Sequence, residues 1–489
     1  MKEFDYTFSK GLREGMRKRS TNPLNNEALT LLYNGQVTED GVSAYATKDI
    51  INADLTVSWP YPQLFLGSKY AFATNATDVY KIPIGSLATS LSVTDELPML
   101  DELGSSLLDD LSEALTWTEA EGIEDLTAGD PWDFVDFGEY CLLTNGAVMV
   151  IIDNVTVPAE PRLASLASSS VLPRCKTFCN YKGQLIGGNV QSDWHDCDSS
   201  SIVWGKIGSV DLTPTNSGEA GYKVITEFSG VVHKVKTLGD IVIVYGANGI
   251  VMMKPEGVVF GFKQISSNGI PSITAVGGND REHVCIDNRY RLLRLNEKQM
   301  EKLDYSEELS NLTLSDTVIS YDPELDEYYI SDGSLGFLLT RHGFSKIYQY
   351  ASSVITLDGT TYIAGANGSD TSFILETDTL DFGVRGDKTV VAVEVGMPGD
   401  LAMSVKMAWG SKDFRFDYTF GFVLTEDDGF IYAPSVLCNP NGIAYPRVTA
   451  DKHRVRLTAD SFTNVQIDYI NIRFNYTDKR ALRGRINVN

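Results

Sequence analysis

The stretch "LGDIVIVYGANGIVMMKPEG" (238–257) decides the reading of this chain. Ile241 to Val244 form an apolar run, Tyr245-Gly246 closes it, and Asn248-Gly249 turns the chain into Ile250, Val251, Met252 and Met253. Asn-Gly tolerates positive φ at the centre of a tight turn, which suits a two-stranded hairpin. The pattern recurs. "SKYAFATNATDVYKIPIG" (68–85) turns near Asn75, "FGEYCLLTNGAVMVIIDN" (137–154) at Asn145-Gly146, and "YKGQLIGGNVQSDW" (181–194) at Gly187-Gly188. "REHVCIDNRYRLLRLNEK" (281–298) turns at Asp287-Asn288, "DEYYISDGSLGFLLTRHG" (326–343) at Asp332-Gly333, and "TTYIAGANGSDTSFILETD" (360–378) near Asn367-Gly368.

From Asn145 onward the turns are separated by 43, 60, 40, 44 and 35 residues. A hairpin returning every ~40–45 residues has the period of a β-propeller blade. Each four-stranded blade has a face that it cannot bury alone, so blades pack around an axis. Six or seven blades fit between residues ~40 and ~385. The competing architecture is a β-sandwich pair or a large barrel with ordinary hairpins.

Two regions depart from this rhythm. In "PMLDELGSSLLDDLSEALTWTEA", Leu100, Leu103, Leu107, Leu111 and Leu115 recur at helical spacing with carboxylates between them, which predicts an acidic helical insert at about 95–130. A shorter helix is expected from Phe8, ending before Asn22-Pro23. After residue 385 long alternating stretches lose the blade spacing and predict a C-terminal β-sandwich-like domain. The expected division is a basic N-terminal docking segment (1–40), a propeller (41–385) and a C-terminal β domain with a basic tail (386–489).

Of the 489 residues, 43% are hydrophobic and 22% charged, enough for a packed core. The N-terminus has no apolar signal-peptide core, and no apolar run reaches the ~18 residues of a membrane span, so a soluble protein made in the cytoplasm is expected without membrane insertion. Six cysteines are too few for a disulfide scaffold and fit a reducing compartment. The net charge is −24, and residues 82–161 contain 17 Asp and Glu with no Lys or Arg. Both ends are basic. Such a distribution predicts two surfaces of opposite sign, the acidic one repelling phosphate and disfavouring sequence-specific DNA binding.

Candidate chemistry is thin. Cys175, Cys179, His195 and Cys197 supply zinc-type ligands, but their spacing is not that of a common zinc module, and no metal or cofactor is assigned. The remaining histidines (His233, His283, His342 and His453) flank no nucleophile elbow. Asp109-Asp110 are neighbours on the expected helix and would point about 100° apart, unsuited to flanking one glycosidic bond. The pairs Gly187-Gly188 and Gly277-Gly278 read as turns. No phosphate-binding or dinucleotide fingerprint is present, and no catalytic residue is assigned.

The ends of the chain carry a resemblance. "KGLREGMRKRSTNPLNNEALTLLYNGQVTEDGV" (10–42), with Lys10-Gly11, Asn22-Pro23 and Asn34 through Gly41, resembles the opening of tail proteins of short-tailed bacteriophages, and "HRVRLTADSFTNVQIDYINIRFNYT" (453–477) resembles their final strands. As a whole the chain is similar to the podoviral tail nozzle family, also described as tail hub or packaged-DNA stabilisation proteins. The resemblance implies a non-enzymatic virion protein of the phage tail, usually hexameric, attached beneath a portal-bound adaptor ring. Such a protein prolongs the DNA channel, retains the genome and supports tail fibres, spikes or a needle.

On that basis Arg13, Arg17, Lys18, Arg19, Lys479, Arg480, Arg483 and Arg485 are expected at adaptor or subunit contacts. Asp101, Glu102, Asp109, Asp110 and Glu113 are expected to line the channel, past which genomic DNA moves without sequence-specific binding. Other readings are a receptor- or glycan-binding propeller and a propeller glycosidase.

Overall fold

A computed structural model describes residues 1–6, 11–12, 29–50, 62–84, 118–119, 128–153, 161–164, 171–257, 259–357, 359–383, 386–397, 406–412, 431–432, 436–462 and 465–476. The chain forms two compact units, one of Met1–Thr47, Leu335–Gln349 and Asn367–Asn489, the other of Lys48–Ser334 and Tyr350–Ala366. The boundaries expected at 41 and 386 follow chain order, whereas these units are interleaved.

The larger unit is a multi-bladed β-propeller. Five antiparallel four-stranded sheets succeed one another. The first blade comprises Gln63–Leu66, Tyr70–Thr74, Val79–Pro83 and Thr118–Glu119, and the second Asp133–Phe137, Tyr140–Thr144, Met149–Asp153 and Pro161–Ala164. The third comprises Cys175–Tyr181, Gln184–Val190, Ser201–Ile207 and Gly221–Val224, and the fourth Val232–Leu238, Ile241–Gly246, Gly249–Glu256 and Val259–Ser266. Val276–Gly278, His283–Ile286, Leu292–Leu295 and Met300–Leu303 make the fifth. The hairpin Val318–Asp322/Glu327–Ser331 follows, and then a sheet in which Thr360–Asn367 lies between Gln349–Leu357 and the short parallel strand Asp49–Ile50.

Apolar layers seal neighbouring blades. Phe72 and Val79 of the first meet Cys141, Leu143 and Val150 of the second. Leu142 and Met149 meet Phe178, Leu185 and Val203 of the third, and Ile186 and Ile202 meet Val235, Val242 and Val251 of the fourth. The ring closes where Leu64, Ala71 and Ala73 of the first blade pack on Ile355, Tyr362 and Ala364 of the last sheet. Ser353 Oγ adds a hydrogen bond to the Leu64 carbonyl (2.8 Å). Closing the ring leaves each blade face covered on both sides, as a propeller requires.

Several expected turns differ in detail. In the 238–257 hairpin the loop is Ala247-Asn248, with Gly246 opposite Gly249. Neither loop residue has positive φ. A Cβ at Gly249 would stand 2.6 Å from the Phe228 Cβ, and one at Gly246 would enter the Phe228 ring. These glycines make room for an aromatic ring and do not provide a left-handed turn.

Gly187-Gly188 lie within a central strand, and Gly277-Gly278 end an inner one; neither pair is a turn. Residues 360–378 are not a hairpin, because Thr360–Asn367 and Phe373–Thr377 belong to different sheets. Side-chain oxygens close many of the other turns. Asn75 Oδ1 accepts from the N–H of Thr77 (2.8 Å) and Asp78 (2.7 Å), Asn145 Oδ1 from Ala147 (3.0 Å) and Val148 (2.8 Å), and Asp287 Oδ1 from Arg289 (2.9 Å) and Arg291 (3.0 Å). Positive φ appears at Gly146 and Gly333, as the Asn-Gly and Asp-Gly pairs suggested.

The smaller unit is also built of β-sheets and combines strands from both ends of the chain. One sheet pairs Lys2–Tyr6 with Tyr469–Tyr476, which pairs in turn with Lys388–Gly396. Another runs Leu29–Tyr33, Phe373–Thr377, Lys452–Ala459 and Lys406–Lys412. Phe382 bridges the two sheets, stacking on Phe474 (4.6 Å between ring centres) and lying 5.4 Å from His453. Strands of the expected docking segment are thus woven into this unit. Gly11 and Leu12 are not helical, since Leu12 bridges Leu29 and donates its N–H to the Phe344 carbonyl (2.7 Å). The rest of the helix expected there falls outside the described residues, as does most of the acidic helical insert expected at about 95–130. The described part of that insert is not helical, because Thr118–Glu119 pair as a strand with Tyr80 and Lys81.

Candidate functional site

The inner strands of the second, third and fourth blades pack side by side, which brings their part-buried polar side chains around one axis. A cleft of about 260 Å3 opens there, lined by residues of Asp133–Phe137, Cys175–Tyr181 and Val232–Leu238 together with Asn279 and Asp280 at the end of the fifth blade's inner strand. The local sequence "VHKVKTL" (232–238) explains the lining: Val232, Val235 and Leu238 are buried between blades, leaving Lys234 and Lys236 on the axial side.

Asp133 organises the cleft. Its side chain is 3% exposed, forms an ion pair with Lys234 (16% exposed), and accepts a hydrogen bond from the Phe178 N–H (3.1 Å). One carboxylate therefore joins three blades. Lys236 is half-buried beside this pair, and its side chain has no hydrogen bond or ion pair among the described residues. Burial lowers its amine to about 8, the Lys234 charge acts in the same direction, and Asp133 and Cys179 oppose them. His283, buried next to the cleft, donates from Nε2 to the Thr237 carbonyl (3.0 Å), which leaves Nδ1 to accept from the Tyr245 hydroxyl (2.9 Å). Burial holds it well below the usual histidine range, so it is a neutral structural group.

The acidic window looks different in space than along the chain. Asp130 pairs with Lys176 and Asp133 with Lys234, while Asp136 accepts from the backbone N–H of Ser68 and of Gly138 (3.0 Å). Lysines of later blades thus compensate its described inner-strand portion, where a bare negative surface was expected. The channel set, Asp101, Glu102, Asp109, Asp110 and Glu113, lies outside the described residues. So does the docking set, Arg13, Arg17, Lys18, Arg19, Lys479, Arg480, Arg483 and Arg485.

The thiols and imidazole considered as metal ligands do not converge. Cys175 and Cys179 lie four residues apart on one extended strand, ~13 Å along it, too far to share an ion that binds sulfur at ~2.3 Å. Burial raises Cys179 to about 12 and Cys197 to about 11. His195 instead stacks on Tyr222 (5.3 Å between ring centres). Among the described residues no group of three or more His, Cys, Asp or Glu is placed to hold a metal ion.

Sequence reading passed over Lys234 and Lys236. The available signal was a pair of lysines at i and i+2 in an apolar strand, an arrangement that puts both on one face. Their convergence with Asp133, Asn180 and Asn279 is tertiary.

A closed ring of radial sheets with polar inner strands defines the class: this is a β-propeller protein carrying a second β unit. No protein-family model and no curated protein matches the chain. Among solved structures it is similar to apo AztD from Citrobacter koseri (9% identity, 64% of this chain and 82% of that one, TM-score 0.37). It is also similar to the Pan2 WD40 domain of Neurospora crassa (7%, 65% and 86%, 0.36) and to the BT4673 extracellular domain from B. thetaiotaomicron (8%, 72% and 43%, 0.40).

Proposed function

We propose that this propeller protein is a virion structural protein, the tail nozzle of a short-tailed bacteriophage. Six copies would form a ring beneath the portal-bound adaptor, prolonging the DNA channel, retaining the packaged genome and carrying fibres, spikes or a needle. The observation that supports this reading most directly concerns the two stretches resembling the family. They are adjacent in one β unit, where Val42 pairs with Ile467 and Ser43 with Gln466. A docking platform composed of both chain ends would then be a single body, and the basic residues at 13–19 and 479–485 would serve as its contacts to an acidic adaptor. In the ring, the carboxylates at 101–113 would line the lumen and repel DNA phosphate.

The test is assembly. Mixed with the portal–adaptor complex, the protein should add as a ring of fixed stoichiometry in native mass measurements; a chain that stays monomeric in that mixture refutes the nozzle reading. Reversing Asp101, Glu102, Asp109, Asp110 and Glu113 to Lys should slow genome release, and unchanged ejection kinetics would remove these residues from the lumen. The axial cleft, sized for a small ligand, favours a second reading as a ligand-binding propeller. Ligand binding by the monomer without ring formation would select it.

A further inference from the structure

We propose that the axial cleft of the propeller binds a small oxyanion, inorganic phosphate or a phosphate monoester, held by Lys236 and Lys234 with the carboxamides of Asn180 and Asn279. The inference is independent of the nozzle reading.

A count of donors and acceptors leads to it. Asn180 Oδ1 accepts from the Gly183 N–H (2.9 Å), and Asn279 Oδ1 accepts from Arg281 (2.9 Å) and Glu282 (3.1 Å). Both amides are therefore fixed with oxygen toward their own turn and nitrogen away from it. Each Nδ2 spends one hydrogen, Asn180 on the Asp136 carbonyl (3.2 Å) and Asn279 on the Tyr321 hydroxyl (3.0 Å), and keeps a second. Thr237 donates its hydroxyl to the Asn180 carbonyl (2.9 Å). Lys234 uses one ammonium hydrogen on Asp133 and keeps two. Lys236 keeps all three.

Lys234, Lys236, Asn180 and Asn279 thus retain donors, two of them cationic, while the acceptors of the inner strands are engaged and Asp280 alone keeps its carboxylate in solvent. The Lys236 ammonium has no direct ion-pair partner among the described residues, Asp133 being engaged by Lys234, and an oxyanion would supply both charge and several acceptors. Carboxylates nearby do not fill this role: Asp133 is taken by Lys234, Asp136 faces two backbone N–H groups, and Asp280 lies exposed at the mouth. A volume of about 260 Å3 holds several waters at ~30 Å3 each, or one phosphate group, but not a duplex.

The groups that set the pH response are Lys234 on the same strand, Asp133 and Asp136 from the second blade, Cys179 from the third, and Asp280 and His283 from the fifth. Because burial lowers the Lys236 amine to about 8, affinity should decline toward alkaline pH.

Equilibrium dialysis of the full chain with radiolabelled inorganic phosphate, and separately with glycerol 3-phosphate, tests the proposal. Saturable binding of one equivalent is expected, and whichever ligand binds more tightly distinguishes a free from an esterified phosphate. Lys236→Met should weaken it by roughly tenfold to a hundredfold, the effect of losing a charge-assisted hydrogen bond. Lys236→Arg should retain it, and Lys206→Met, at an exposed position, should leave it unchanged. Should Lys236→Met fail to fold, Lys236→Gln, which keeps a polar tip without the charge, decides, with the same weakening expected. Phosphate binding that is unsaturable, insensitive to removal of the Lys236 charge, or displaced equally by duplex DNA would overturn the site.

Discussion

Asp133 offers the sharpest test of how the propeller is held. Its carboxylate is 3% exposed and serves Phe178 N–H in the third blade and Lys234 in the fourth. Asp133→Ala leaves an orphaned amide and an ammonium without its partner. Breaking a buried pair from one side costs about 3–5 kcal/mol. Lys234, at 16% exposed, regains some hydration, which places the expected loss toward the lower bound. Asp133→Asn retains an acceptor for Phe178 but removes the charge, for a loss of about 1.5–3 kcal/mol.

The assay is urea unfolding followed by tryptophan fluorescence, fitted with separate transitions because the chain has two compact units. A double-mutant cycle of Asp133→Asn with Lys234→Met should show coupling above ~1 kcal/mol, little altered by salt because the pair is buried. Equal costs for Ala and Asn, or additive single effects, would show that Asp133 is not a junction between blades.

Gly249→Ala should destabilise the propeller by about 1–3 kcal/mol through overpacking against Phe228, and Phe228→Leu should relieve part of the loss; a neutral Gly249→Ala in the same urea assay would contradict the proposed role of this glycine. Stability should decline as pH falls below the ordinary histidine value of 6.5. The unfolded chain then takes protons that buried His283, held far below that value, and His453, held near 4, refuse while folded. His283→Gln should flatten that decline, and unfolding free energies constant from pH 7 to 4.5 would refute it. Cys175, Cys179 and Cys285, buried with raised thiol pKa values, should resist iodoacetamide at neutral pH until the protein unfolds; rapid native labelling, read by peptide mass spectrometry, would contradict their burial.

Much of the architecture was legible locally. A hairpin needs only an apolar strand, a turn residue and a second strand, all within about twenty residues, so 137–154 and 281–298 could be read directly. Asn75, Asn145 and Asp287 marked their turns because one side-chain oxygen caps backbone groups two to four residues ahead. Where glycine alone was the guide, the reading slipped. Gly187, Gly188, Gly246 and Gly249 are small because rings and strands from elsewhere press on them, and sequence spacing does not reveal such neighbours.

Charge shows the division most clearly. The amino-acid sequence determined that residues 82–161 hold 17 carboxylates and no basic side chain. Only the tertiary structure decided that Asp130 meets Lys176, 46 residues on, and Asp133 meets Lys234, 101 residues on. Electrostatic energy depends on distance through space, and a ring of blades brings the inner strand of each repeat against the next. Compensation that is absent along the chain is therefore supplied by the blades that follow.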